Sequence, residues 1–390
     1  MKPVVGVICE YDPFHLGHRR HFELIRAALP GARIVCLMSG CFTQRGMPAL
    51  HAPRARAQAA LNAGADLVLE LPCAFSVRDA ERFALGGVHI LSSLGFVTHL
   101  SFGAEDALDR LRPAAALLEQ PTPAFERALK AALAQGASFA AAQGAALDSC
   151  LGAPGLAEAP AWQRPNNILA LCYLRAMNRL QSPLQPLPVK REGDYHAQTL
   201  ADGAFPSATA VRAAFAHGAF AQADAACGYA LPREPVCRPD ALDGVLLYKL
   251  RAMSAQALAA LPDCTEGLEN RLKACALRCA SREALLDALK TRRYARARLS
   301  RLCCHALLDV TAELLNAHPA PEYVRLLGLR RAAPELTGLL GQSPLPVIAK
   351  AADGDTASPL WQLDLRAYDL WALGAGLPAG LMLTQGVAAL

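Results

Sequence analysis

The chain has 390 residues, of which 53% are hydrophobic and 19% charged, with a net charge of +5. This composition excludes a disordered protein, and the length favours two cores over one. The N-terminal apolar run is broken by Glu10 and Asp12, and the apolar C-terminus by Gly and Pro, so no leader and no membrane span are expected and the chain reads as cytoplasmic.

The first strand-length apolar run is PVVGVICE, followed by the polar turn YDPFHLGH and a helical stripe at Phe22, Ile25 and Leu29. ARIVCLMS, ADLVLELP and VTHLSFG follow at intervals filled by helical patterns, and each ends in a polar cluster: SGCFTQRG, ELP and FGAED. Alternating strands and helices predict an α/β fold with a parallel sheet, whose ligand crevice lies at the carboxyl ends of the strands. Next, RPNNILALCYLRAM carries Asn166 and Asn167 into a helix, and LPVKREGDYH reads as a strand with a polar turn at Arg191. In FPSATAVRAAF, Ser207 is an N-cap candidate that leaves Ser207, Thr209 and Arg212 around a helix start suited to an anion. Beyond Leu231 the pattern turns helical, without strand runs. We expect a Rossmann-like α/β domain with a parallel sheet over 1–228, whose crevice would bind the ligand, and a mainly helical, basic domain over 229–390, with the boundary in the proline-rich stretch 228–240.

Between the first strand and its helix, His15-Leu16-Gly17-His18 offers two imidazole donors beside helix N-terminal amides, and Gly17 would let a phosphate approach the backbone. Such donors suit a triphosphate attacked at its α-phosphate, where charge builds on the equatorial oxygens and the leaving pyrophosphate. A histidine pair at this spacing is otherwise an ordinary surface or capping feature. Its position after the first strand and the second anion site at Ser207 favour the nucleotide reading.

The thirteen cysteines form no C-x-x-C pair and, being odd in number, fit a disulfide framework poorly. Cys275 and Cys279 have helical spacing and lie near His305 in sequence, yet small core residues are the simpler reading, so no protein metal site is expected. From Arg271 to Arg331 there are thirteen Lys and Arg against five Asp and Glu. Arg292, Arg293, Arg296, Arg298 and Arg301 surround Tyr294, which suits RNA phosphates with an aromatic available for a base. The competing reading is a solvated arginine-rich helix paired with acids elsewhere.

In this order, GVICEYDPFHLGHRRHF, MSGCFTQRGMPAL, GADLVLELPCAFSVRDAERFALGGVHIL, FGAED, RPNNILALCYLRAM, REGDYH, SATAVR, EGLENRLKACA, RRYARARLSRLCCHALL and YVRLLGL resemble the bacterial tRNA(Met) cytidine acetate ligase family over nearly the whole chain. The resemblance implies an enzyme that activates acetate with ATP and Mg²⁺, forms acetyl-adenylate, and acetylates the wobble cytidine of elongator tRNA(Met). It implies His15 and His18 as catalytic groups and an ATP site of Val7, Ile8, Cys9, Glu10, Tyr11, Asp12, Pro13, Phe14, His15, Leu16, Gly17, His18, Arg19 and Arg20, with Gly103, Asn166, Asn167 and Arg191. Ser207, Thr209 and Arg212 join it by analogy with the superfamily's second phosphate motif. Two departures stand out: Asp12 replaces an expected Asn, and Pro53 stands where a Lys often follows QRGxPA, with Arg54 or Arg56 as substitutes. A carboxylate at Asp12 beside a triphosphate is unfavourable unless Mg²⁺ lies between them or it points away. A metabolite adenylyltransferase or a non-catalytic RNA-binding protein are the alternative functions.

Overall fold

The structure is a computed structural model that describes residues 2–152, 162, 164–190, 200, 205–291 and 294–390. Arg191, Arg292 and Arg293 lie outside the described residues.

Among the described residues, eight strands form one sheet: β1 (Val4–Cys9), β2 (Arg33–Ser39), β3 (Leu67–Leu71), β4 (His99–Ala104), β5 (Gln185–Lys190), β6 (Val324–Leu329), β7 (Val347–Ile348) and β8 (Ala388–Ala389), in the order β5-β4-β1-β2-β3-β6-β7, with β8 also on β6. The five N-terminal strands run parallel. Both faces are covered, which is why the strands read as continuous apolar runs. Along β2, for example, Val35 and Leu37 enter one core, while Ile34, Cys36 and Met38 enter the other. The chain leaves β1 toward β2 on one side and later places β4 on the other, so the switch point of the sheet lies at the carboxyl end of β1. The H-x-G-H turn follows that end directly.

The expectation that no strand follows Leu231 is corrected. β6 joins β3 antiparallel, with Glu70 opposite Arg325, and β7 and β8 extend it. Sequence pattern hid β6 because an arginine interrupts its apolar run. In the sheet that charge is buried against Glu70, with Nε to Oε2 at 2.6 Å, and Tyr368 adds a hydrogen bond from its hydroxyl to Glu70 Oε1 at 2.9 Å. Helices from Asp243–Ala252 to Arg296–Leu308 enclose a core of their own, built on Leu246, Leu250, Leu272, Leu285 and Leu299. Helix Pro359–Gly374 instead returns Trp361, Tyr368 and Trp371 to the core of the sheet. Among the described residues, no helix is long and apolar enough to cross a membrane.

Candidate nucleotide site

At the end of β1 the chain turns sharply. Tyr11 adopts a left-handed φ of 49°, uncommon for a bulky residue. This puts its ring edge-on to Phe14 at 4.9 Å and to His18 at 4.8 Å. His15 then caps helix Leu16–Ala28, whose core face is Phe22 and Ile25. Two reciprocal bonds close the cap: the Gly17 N–H donates to His15 Nδ1 at 3.1 Å, and the His15 N–H donates to His18 Nδ1 at 3.2 Å. A backbone N–H can only donate, so each Nδ1 must present a lone pair. Each ring, when neutral, therefore carries its proton on Nε2. The imidazoles stack with centroids 3.7 Å apart, and His15 is fully buried. The cap thus fixes tautomer and orientation in one step, leaving Nε2–H as the donor of each ring.

Gly17 has a further reason beside the expected one. A Cβ there would lie 3.0 Å from His15 Cε1 and 3.1 Å from Nδ1, so the glycine makes room for the His15 ring folding back over its own helix.

Asp12 is buried, with Oδ1 accepting from the Leu50 N–H at 2.7 Å and Oδ2 facing Arg212 Nη1 at 3.3 Å. Arg212 also donates to the Asp12 carbonyl and to Thr209 Oγ1, the latter at 3.3 Å. Ser207 caps helix Ala208–Ala216 by accepting from the Ala210 N–H at 3.0 Å, as its sequence position suggests. The two helix starts are thus tied together through Asp12 and Arg212. Glu10 accepts from the Gln44 N–H at 2.5 Å, and burial pushes its carboxyl up from the usual range.

Val7 and Cys9 point into the core on one face of the sheet, and Ile8 packs against the core on the other, so β1 offers a ligand its backbone rather than these side chains. Pro13 and Phe14 are buried, Leu16 is half-buried, and Arg19 and Arg20 both reach Glu23, at 3.5 and 3.6 Å. Gly103 lies on β4 opposite Val189 of β5. Asn166 and Asn167 hold the loop after β4: the Asn167 side-chain oxygen accepts from the N–H groups of Glu105 and Asp106 at 3.0 and 3.1 Å, and Asn166 donates to Glu105 Oε1 at 2.7 Å. Arg56 does not supply the missing lysine contact. It is buried and donates to the carbonyls of His51, Glu10 and Gly40. Arg54 is exposed and donates to the Gly386 carbonyl at 3.1 Å. Beside the site a cavity of about 330 Å³ is lined by His51, Arg54, Gln58, Tyr229 and Gln385, and the Tyr229 hydroxyl reaches the Phe14 carbonyl at 3.4 Å.

In the basic helix, Arg296 pairs with Glu283 and with Asp287, the latter at 2.5 Å. Arg298 donates to the Asp263 carbonyl and to Thr265 Oγ1, and lies over the Tyr294 ring. Arg301 is buried at 8% exposure. Tyr294 belongs to the helical core, which corrects its expected availability for base stacking. His305 donates Nε2–H to the Val77 carbonyl at 2.8 Å, and burial pushes its pKa down to about 4. Missed by the sequence reading were Gln44, which joins Glu10 to Arg78, and the carboxylates Glu105 and Asp106 that Asn166 and Asn167 hold. The SGCFTQRG and FGAED clusters were visible, but not their partners.

A parallel sheet whose first crossover opens on two capped, Nε2-protonated imidazoles at the switch point defines the nucleotidyl-transferring class of α/β proteins. The chain belongs to the HIGH nucleotidyl transferase family, whose family model matches residues 1–378. It is 33% identical to the tRNA(Met) cytidine acetate ligase of Syntrophomonas wolfei over 95% of this chain and 94% of the relative, and 32% identical to that of Caldanaerobacter subterraneus with the same coverage. Crystal structures of Thermotoga maritima TmcAL superimpose over 100% of both chains: the apo form with a TM-score of 0.88 at 26% identity, and the form bound with alpha-thio ATP with 0.87 at 27%. Within the HIGH family, the chain is therefore a member of the tRNA(Met) cytidine acetate ligases.

Proposed function

We propose that this chain is an ATP-dependent acetate ligase acting on elongator tRNA(Met). An acetate oxygen attacks the α-phosphate of ATP, the bond to the bridging oxygen of pyrophosphate breaks, and acetyl-adenylate forms. The exocyclic amine of the wobble cytidine then attacks the acetyl carbonyl, the carbonyl carbon to phosphate-oxygen bond breaks, AMP leaves, and the amine loses a proton to give N4-acetylcytidine. The observation that carries this reading is the capping pair, since two Nε2–H donors fixed before substrate arrives need no reorganisation as charge develops on the phosphate.

In this reading the phosphates are held by His15, His18 and the helix start at Gly17, with Ser207, Thr209 and Arg212 as the second grip. Gly103, Asn166 and Asn167 would shape the nucleoside side of the crevice, and Arg191 belongs to the same proposed set. Magnesium would arrive with the nucleotide and would supply positive charge to offset that of the phosphates. The residues present do not make a protein-held site for it: both Asp12 oxygens are engaged, and no group of three or more metal-ligating side chains occurs among the described residues. We assign ATP and acetate to residues 1–228 and the main part of tRNA recognition to 229–390, where the proposed contacts are Arg292, Arg293, Arg296, Arg298 and Arg301. A cytoplasmic location belongs to the same reading, because the RNA substrate resides there.

The test is turnover with oxygen-18 acetate, ATP, Mg²⁺ and tRNA(Met), followed by digestion of the RNA. Acetylcytidine in the RNA and label in AMP are expected, because acetyl transfer leaves one carboxylate oxygen on the phosphate. ADP with orthophosphate, or AMP without label, would exclude the acetyl-adenylate route.

A further inference from the structure

The loop between β2 and helix Pro53–Asn62 bridges the nucleotide site and the basic helix Arg296–Leu308. Gln44 donates its N–H to Glu10 at the end of β1 and its Nε2–H to the Arg78 carbonyl, both at 2.5 Å. Two residues on, Gly46 has φ +73°, and a Cβ there would lie 2.9 Å from both Arg301 Cα and the Ser300 carbonyl oxygen. The loop backbone therefore lies directly on the helix. Ser300 donates its hydroxyl to the Arg45 carbonyl from the helix side, and His305, one turn beyond Arg301, donates to the Val77 carbonyl at 2.8 Å. Arg45, Arg78 and Arg301 are thus brought together by three segments far apart in the sequence.

The electrostatics of this seam are unusual. Arg301 is 8% exposed, and its Nε is buried without a hydrogen-bond partner. Burial, with repulsion from Arg298 and Arg45, pushes its guanidinium down, and burial with repulsion from Arg82 and Arg301 does the same to Arg78. Asp79 and Asp263 attract both, yet neither makes an ion pair with either guanidinium among the described residues. Asp79 is committed to Arg82, at 2.9 Å, and to capping helix Ala80–Ser93. A desolvated guanidinium without a bonded anion is unfavourable, and a phosphate that presents oxygens to the forks of Arg78 and Arg301 removes that penalty on binding.

We propose that Arg45, Arg78 and Arg301 form a phosphate site at this seam, and that its occupant is a backbone phosphate of the RNA substrate. The RNA part rests on the function proposed above. A strand laid across the helical segment meets exposed Arg45 first and buried Arg301 last. A nucleotide phosphate is the poorer fit, because the Glu10 carboxylate is held beside Arg45 and follows β1 directly into the H-x-G-H turn.

The site is tested by titrating labelled tRNA(Met) with the full chain and its variants over a series of salt concentrations, without acetate or turnover. Arg45→Gln and Arg78→Gln should each weaken binding severalfold and flatten the logarithmic salt slope by up to about 1, the counterion release of one phosphate. Because all three arginines serve one phosphate, the double variant should lose no more slope than about 1. Arg301→Lys should keep the slope while weakening binding, since the charge stays but the fork is lost. Arg127→Gln, an exposed arginine on helix Pro123–Ala134, controls for loss of one surface charge and should leave the slope as it is. Arg45 and Arg78 variants that bind as the unaltered chain does would overturn the site. So would variants that weaken ATP binding while the RNA slope stays constant, which would reassign the cluster to nucleotide phosphates. Altered slopes in a protein that makes no acetylcytidine would sink the ligase reading alone, and acetylcytidine with unaltered slopes would sink the seam site alone.

Discussion

Replacing His15 with Asn and His18 with Gln separates the capping role that the structure shows for each imidazole from the donor role proposed above. Both rings use Nδ1 to cap helix Leu16–Ala28, at 3.1 and 3.2 Å, and in the proposed mechanism would present Nε2–H to the nucleotide. Asn at an N-cap and Gln three residues later are themselves good capping residues, so His15→Asn and His18→Gln preserve the cap and delete the donor. Alanine deletes both. Losing the cap should cost about 1 kcal/mol of stability for His15→Ala. Losing one preorganised donor should slow the chemical step by roughly a hundred- to a thousandfold, about 3–4 kcal/mol in the barrier. Acetate-dependent exchange of pyrophosphate into ATP reads the first half-reaction, and thermal unfolding by circular dichroism reads the cap. The expected pattern is near-normal unfolding with crippled exchange for His15→Asn and His18→Gln, and losses in both measurements for the alanine variants. If the cap-preserving variants exchange at the unaltered rate, the imidazoles are caps and nothing more, and the charge-stabilising mechanism fails.

Three other perturbations follow from the geometry. Asp12→Asn should keep the Leu50 bond, loosen Arg212 and cost about 1 kcal/mol of stability, a figure held down because the Arg212 side chain is 33% exposed; ATP binding, measured by calorimetry, should tighten as Arg212 turns to the phosphates, and weaker binding would count against Arg212 as a phosphate ligand. Arg325→Met should destabilise by about 3–5 kcal/mol because Glu70 is left buried without its partner, while Glu70→Gln with Arg325→Met should recover most of the loss in urea unfolding; equal losses would mean the pair is not the reason. His305, whose pKa burial pushes down to about 4, is neutral in the folded chain and charges near its ordinary value when unfolded, so its stability contribution is complete above pH ~6.5 and is lost as pH falls toward 4, by at most about 3 kcal/mol. His305→Gln should flatten the acid limb of a melting-temperature profile over that window; an unchanged limb would show that His305 does not govern it.

The parts of this fold that were legible in the sequence are those in which local pattern and tertiary environment agree. Runs such as ARIVCLMS are apolar on both faces because both faces of β2 are covered, and Ser207 reads as a cap because its hydroxyl acts on its own helix. What stayed hidden depends on partners distant in sequence. β6 carries Arg325, a poor strand signal until Glu70, 255 residues away, neutralises it. Tyr294 looked like an aromatic waiting for a base because nothing nearby shows that it joins the helical core to which Leu246 and Leu285 belong.

The arginines show the same limit and say something about mechanism. A count of charge from 271 to 331 correctly marked the region as basic, but charge counted along a sequence does not separate cations that are already paired from cations that still need an anion. Arg296, prominent in the linear pattern, is held by two carboxylates, whereas Arg301 in the same helix is buried with an unbonded Nε. Its cationic neighbours Arg45 and Arg78 come from loops that the linear count never included. The same Ser39–Met47 segment that brings Arg45 there also ties Glu10 at the end of β1 to Arg78 through Gln44. An anion bound at the seam would pull on a loop whose other attachment is Glu10, the residue directly after β1. Gln44 thus links the proposed seam site to the segment that leads from β1 into the H-x-G-H turn, a physical contact on which coupling between the two proposed sites would rest.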